Sequence, residues 1–215
     1  MRRDRLDAVV DDIRTELGEA HRAREAALPA CRLVIRHASL AIRAVHRGDA
    51  ATLAAELEAS ERFLREAQDA VAEHPMVRHA GFLHDAEKEY AEARLTVALV
   101  AGDPIPSHTD VDVMAHSWMR GLAEAASELR RNVLDRLRGD DLDTAQELLG
   151  AMDDAYDVLA SVDLPDALTG GLRRSVDSLR AVTERTRGDV TTTILQTRLR
   201  RAIEGSETSS AAPGT

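Results

Sequence analysis

Aromatic residues are almost absent: Phe63, Phe82, Tyr90, Trp118 and Tyr156 are the only five in 215 residues. Glycine and proline are also sparse, at 12 and 6. Ala, Leu, Arg, Glu and Asp dominate instead, which favours helix and argues against a β-rich fold. A single cysteine, Cys31, excludes an intramolecular disulfide and a cysteine-rich zinc site. Lysine is reduced to Lys88, so arginine carries the remaining positive charge. No apolar run approaches the roughly 20 residues of a membrane span, and the start MRRDRLDAVVDD lacks the apolar core of a signal peptide. The expectation is a soluble cytoplasmic protein with no membrane partner. Several catalytic signatures are missing too: there is no G-x-S-x-G, no Walker-type glycine loop and no H-E-x-x-H. None of the eight histidines has a glutamate three residues before it, which removes a ferritin-like di-iron bundle. The net charge of −10 argues against a wholly basic nucleic-acid binder and confines any such binding to a local patch.

What is present is apolar spacing of three and four along the chain, divided by glycines, prolines and caps into six or seven long helices. The first spans about residues 4–47, with a possible break at Pro29. Asp49 caps a second that reaches about residue 73, and Pro75 opens a third that runs to about residue 100. Residues 103–108 form a loop. A fourth helix runs over 109–139, a fifth over 141–161, and a sixth begins at Pro165, nicked at Gly170 and Gly171 before an arginine-rich stretch to about residue 203. The chain reads as one all-α domain over residues 1–204, a bundle of long helices, followed by a small polar tail over 205–215 that is expected to be disordered.

Two segments carry acids at helical spacing: EKEYAEA at residues 87–93 and GLAEAASELRR at 121–131. At about 100° per residue, Glu89 lies at the edge of the third helix's apolar stripe and Glu92 follows on the same flank. On the fourth helix Ser117, Gly121, Glu124 and Glu128 share one flank. The serine and glycine would allow a neighbouring helix to come close, and four carboxylates directed into such a gap repel one another unless protonated or bridged by a cation. Oxygen-only ligands suit Mg²⁺ or Mn²⁺. In a chain with 38 acidic residues, the alternative is that these are further solvated helix flanks. His84 and His116 stand near the same segments, either as groups at the edge of a site or as packing residues.

Residues 26–48 contain no acid at all. Within them Arg32, Arg36, Arg43 and Arg47 fall in an arc of about 60°, forming a ridge. Guanidinium forks match phosphate geometry, so the ridge is a candidate nucleic-acid contact; the competing reading is neutralisation by acids from other helices. The second arginine-rich run, over residues 171–189, interleaves Arg173, Asp177, Arg180, Glu184 and Arg187 at three and four, the pattern of a salt-bridged solvated face. With so few aromatics, base stacking contributes little and binding would read mainly the backbone.

Taken together, the segments AIRAVHRGD (41–49), EYAEA (89–93), GLAEAASELRRNVLD (121–135) and LPDALTGGLRRSVDSLRAVTERTRGD (164–189) resemble the translin family, especially the branch of translin-associated factor X and its archaeal relatives. The resemblance covers about residues 30–190. It implies an all-helical fold of about seven helices and assembly of identical or related subunits into hollow, often octameric shells that hold RNA or single-stranded DNA. In the factor X branch it implies a Mg²⁺-dependent endoribonuclease acting on single-stranded RNA. Carried over by position, the acids are Glu89, Glu92, Glu124 and Glu128: the first three as metal ligands, all four as catalytic residues. The non-catalytic alternative is a translin-like oligomer that binds single-stranded RNA or DNA without cutting it. Two departures stand out. Glu124 occupies the place of an aspartate, and Ser127 that of the glycine before the final acid; Arg120 also replaces an apolar residue beside Gly121.

Overall fold

The computed structural model describes residues 2–210. The described residues contain eight helices: α1 (Arg2–Arg47), α2 (Ala50–Val71), α3 (Pro75–Arg78), α4 (Gly81–Ala101), α5 (Ala115–Arg138), α6 (Leu142–Ala160), α7 (Asp166–Thr169) and α8 (Leu172–Ser210). No helix among them is long and apolar enough to cross a membrane. The fold is all-α, as the composition predicts. The chain gathers into two compact units, Met1–Leu122 and Ala123–Thr215, with the division falling inside α5. Helix α8 runs through Ser210, past Gly205 where the polar tail is expected to begin; residues 211–215 lie outside the described residues.

In the first unit α1 packs on α2 and α4. The seam is built largely from alanine: Ala38, Ala41, Ile42 and Ala93 form one buried cluster, closed by Leu53 and Leu57. Small side chains let helix axes approach closely and interdigitate. The Ser60 hydroxyl, fully buried, bonds the Val34 carbonyl at 3.2 Å and ties α2 to α1. Asp49 caps α2 by accepting from the Thr52 backbone N–H at 3.1 Å, and the left-handed Gly48 beside it turns the chain.

Three boundaries differ from the sequence expectation, each for a packing reason. Pro29 does not break α1, which runs unbroken for 46 residues. A proline inside a helix costs about 3 kcal/mol, but Ala27, Ala30, Cys31 and Val34 around it are all buried, and burial worth about 0.8 kcal/mol per methylene-sized group, and about 1.5–3 kcal/mol for Val34, offsets that cost in sum. The helix opened by Pro75 stops at Arg78 and a new one starts at Gly81, with Ala80 extended between them (φ −82°, ψ 142°). A continuous helix would bring Met76 into phase with Leu83 and Tyr90 and turn Val77 about 120° away; the break instead buries Val77 (7 % exposed) and leaves Met76 outside (69 %). Helix α5 starts at Ala115 rather than near Thr109. Val111 and Val113, two residues apart, are both buried, which is an extended rather than a helical pattern. Asp110 anchors the turn before them, accepting from the Ser107 N–H at 2.8 Å and its hydroxyl at 2.7 Å.

In the second unit α6 packs on α8. Asp141 caps α6 through the Thr144 N–H at 3.2 Å. Pro165 precedes α7, and Gly170 and Gly171, both at positive φ, separate it from α8 as expected. The arginine-rich face of α8 is salt-bridged in part: Arg187 meets Asp153 at 2.6 Å and Glu184 at 3.8 Å.

Candidate metal centre

Helix α4 is buried nearly all round. Leu83, Ala86, Tyr90 and Ala93 form its apolar stripe, yet Lys88, Ala91 and Glu92 on the opposite side are buried as well. That second side meets the first turns of α5, and Gly121 is where they touch. A Cβ on Gly121 would lie 2.9 Å from the Lys88 carbonyl oxygen and 3.0 Å from both the Glu92 nitrogen and the Ala91 Cβ. Two of those atoms are backbone and cannot swing aside, so only glycine permits the approach. The close contact expected from Ser117 and Gly121 is therefore present.

Glu124 follows Gly121 by three residues on the same helix. Carboxylate oxygens of Glu89, Glu92 and Glu124 all lie within 4.8 Å of one another, the one group of three or more His, Cys, Asp or Glu side chains with such convergence among the described residues. Glu92 is 8 % exposed and Glu89 and Glu124 are half-buried. Lys88, itself buried, brings its ammonium 2.9 Å from Glu89 Oε1. The donor set suits a hard divalent cation: all oxygen, anionic and clustered closely enough for one ion. Glu128 stands one turn further along α5 and does not join the three. It lines an open hollow with Arg131 and Arg138.

A second acid on α4 has a different setting. Glu87 is 4 % exposed. Its Oε2 accepts from the Met114 backbone N–H at 3.3 Å and the Ser117 hydroxyl at 3.1 Å, and its Oε1 from the Gln68 amide at 3.5 Å. Burial pushes its carboxyl above the usual range, against the pull of those three donors and of His116. Because Met114 immediately precedes α5 and Ser117 lies in its first turn, Glu87 acts as a cap supplied by another helix. Sequence reasoning quoted this residue but passed over it. The signal was there: Glu87 sits about 40° from Leu83, inside the apolar stripe.

His84 and His116 are packing residues of this end of the bundle. Their rings meet edge to face at 4.4 Å, and His79 lies 6.3 Å from His84. Burial first, and then its neighbour His79, lowers the His84 pKa; burial and then His84 lower that of His116. Arg32, Arg36, Arg43 and Arg47 are all exposed along α1, and Arg43 donates to the Ser39 hydroxyl at 3.0 Å.

No family model matches the chain. An uncharacterized protein of Methanocaldococcus jannaschii is 28% identical over 184 residues, covering 84% of this chain and 81% of the relative. Two solved structures, AfC3PO and AfC3PO in complex with duplex RNA, each superpose with a TM-score of 0.79 at 28% identity, covering 87% of this chain and 97% of theirs. The chain is translin-like. Apo-NeC3PO, at 16% identity and a TM-score of 0.74 over 86% of this chain and 96% of its own, shares the fold.

In this translin-like chain the departures from the family pattern acquire physical settings. Glu124, in place of an aspartate, reaches the other two carboxylates despite its extra methylene. Arg120, in place of an apolar residue, pairs with Asp85 of α4 at 3.5 Å. Ser127, in place of glycine, turns its hydroxyl back to the Ala123 carbonyl at 2.8 Å, a bond that satisfies it within its own helix.

Proposed function

We propose that this translin-like chain is a metal-dependent endoribonuclease of the factor X type, cutting single-stranded RNA or the exposed strand of an imperfect duplex inside an oligomeric shell. The observation that carries the reading is the convergence of Glu89, Glu92 and Glu124. The likeness to AfC3PO, which has been solved with duplex RNA, supports the substrate class. In this reading the three carboxylates hold Mg²⁺ or Mn²⁺, which supplies Lewis-acid polarisation of a phosphate and raises the acidity of water. Glu128, one turn beyond Glu124, orients the attacking water and accepts its proton at a carboxylate oxygen. Arg32, Arg36, Arg43 and Arg47 hold backbone phosphates without reading sequence.

Lys88 gives the second reading its footing. Its ammonium already neutralises Glu89 at 2.9 Å, and a translin-like oligomer that binds RNA or single-stranded DNA without cutting would need no metal there. Cleavage of a labelled single-stranded RNA by the wild type in Mg²⁺, by the wild type in EDTA, and by Glu89→Ala in Mg²⁺ separates the two. The nuclease reading expects cleavage in the first alone. Equal cleavage in all three sinks it, and tight binding with no Mg²⁺-dependent cutting selects the binding oligomer.

A further inference from the structure

Beyond Glu128 the same face of α5 turns from acidic to basic. Arg131 and Arg138 follow Glu124 by seven and fourteen residues, so each returns to within about 40° of its direction while the helix advances roughly 10 Å per step. The two arginines line one open hollow with Glu128 and Asp135. Arg130, next in sequence, has a different occupation: its guanidinium donates to Thr186 Oγ1 at 3.0 Å and to Asp189 Oδ2 at 2.8 Å on α8. It is a structural tie. Arg131 is exposed. Arg138 holds Asp135 at 2.8 Å with side chains 78% and 47% exposed, and a pair so open to solvent exchanges readily for a better anion.

We propose that Arg131 and Arg138 form a phosphate-binding track along α5, gripping the backbone of a single strand whose neighbouring phosphodiester lies at the carboxylates. The inference rests on the RNA-processing reading above, and adds a contact separate from the α1 ridge. Planar guanidinium forks bind phosphate oxygens in pairs and carry no base preference. Alternation of acid and base along one helix face gives the strand a polarity of environment: its held phosphates meet arginines, and the one to be cut meets the metal ligands.

The test is binding of a fluorescent oligouridylate of about 16 nucleotides, within the usual footprint of a single-strand site, measured in EDTA across a salt series. At roughly 0.7 in log–log slope per phosphate contact on a single strand, Arg131→Gln with Arg138→Gln is expected to lower the slope by about 1.4. Affinity at low salt should fall at least about tenfold, while Arg173→Gln with Arg180→Gln on α8 leaves the slope unchanged. A wild-type slope retained in the double α5 variant, with native circular dichroism, overturns the track and leaves RNA binding standing. Absence of salt-sensitive binding by the wild type overturns both.

Discussion

Glu87 and Glu92 are buried to a similar depth on one helix, five residues apart, yet their surroundings differ in kind. Glu87 meets neutral donors: a backbone N–H, a hydroxyl and an amide. Glu92 meets other carboxylates, within 4.8 Å of Glu89 and Glu124, beside a lysine that already engages Glu89. A buried acid with its lone pairs met by neutral dipoles is part of the architecture and gains nothing from a cation. Acids gathered against one another are held together at an electrostatic cost that positive charge relieves. The contrast separates a structural carboxylate from a ligand set without reference to sequence position.

The largest expected effect breaks the comparison if it falls on the wrong residue. Glu92→Gln and Glu124→Gln should each abolish the rise in unfolding temperature that Mg²⁺ gives the wild type, a rise worth about 2.7 kcal/mol when the ion stands at a hundred times its Kd. Cleavage should drop more than about 100-fold, beyond the loss typical of altering a group behind a metal ligand. Glu87→Gln should keep both the shift and most of the activity. If Glu87→Gln removes the Mg²⁺ shift as completely as Glu92→Gln, the two acids are one site and the distinction fails.

On stability the ranking reverses. Glu87→Ala strands the Met114 N–H and the Ser117 hydroxyl in a buried place, at about 1–3 kcal/mol for each group left unpartnered. A urea titration should show that loss, with Glu87→Gln costing less because one carbonyl oxygen remains to accept. Glu92→Ala is expected to cost less than Glu87→Ala, since it also relieves repulsion among the three carboxylates. Gly121→Ala comes next. Its new methyl meets two backbone atoms of α4 at about 3 Å, and overpacking of this kind costs about 1–3 kcal/mol, offset by the roughly 1 kcal/mol that alanine gains over glycine inside a helix. The urea midpoint should fall modestly, and Mg²⁺ affinity with it, because pushing the helices apart moves Glu124 from Glu89 and Glu92.

The sequence carried the helices, the cap at Asp49 and the close approach at Gly121, because each depends on local spacing or on one residue type; of the four carboxylates directed into that gap, Glu89, Glu92 and Glu124 converge and Glu128 does not. It did not carry the ends of α3 and α5. Those boundaries are decided by which of Met76 and Val77, and which of the residues near Val111, finds a place in the core, and that is a property of neighbouring helices. Nor did Pro29 act as its propensity suggests, since buried contacts on both sides outweigh one lost hydrogen bond. Glu87 was legible and misjudged. An acid inside an apolar stripe is a stronger signal than acids at its edge, because a buried carboxylate must have partners and so predicts donors on whatever packs against it.

The smallest effect concerns pH and belongs to the Glu87 end alone. Burial holds His84 and His116 below the ordinary histidine value of 6.5. The unfolded chain therefore binds protons near pH 6.5 that the folded protein takes up only at lower pH, and by linkage stability is full above that value and declines as pH falls through it. Glu87 has the opposite sign, because its raised carboxyl pKa lets the folded protein take a proton above the usual 4.5. The histidine contribution is accordingly read between about pH 6.5 and pH 5, before carboxylates dominate. His116→Gln should flatten the fall in unfolding temperature over that interval, and saturating Mg²⁺ should shift the wild-type and variant curves upward together without changing either slope. A slope that Mg²⁺ alters while His116→Gln does not would assign the titration to Glu89, Glu92 and Glu124, and would join the two sides of α4 on which Glu87 and the converging acids stand.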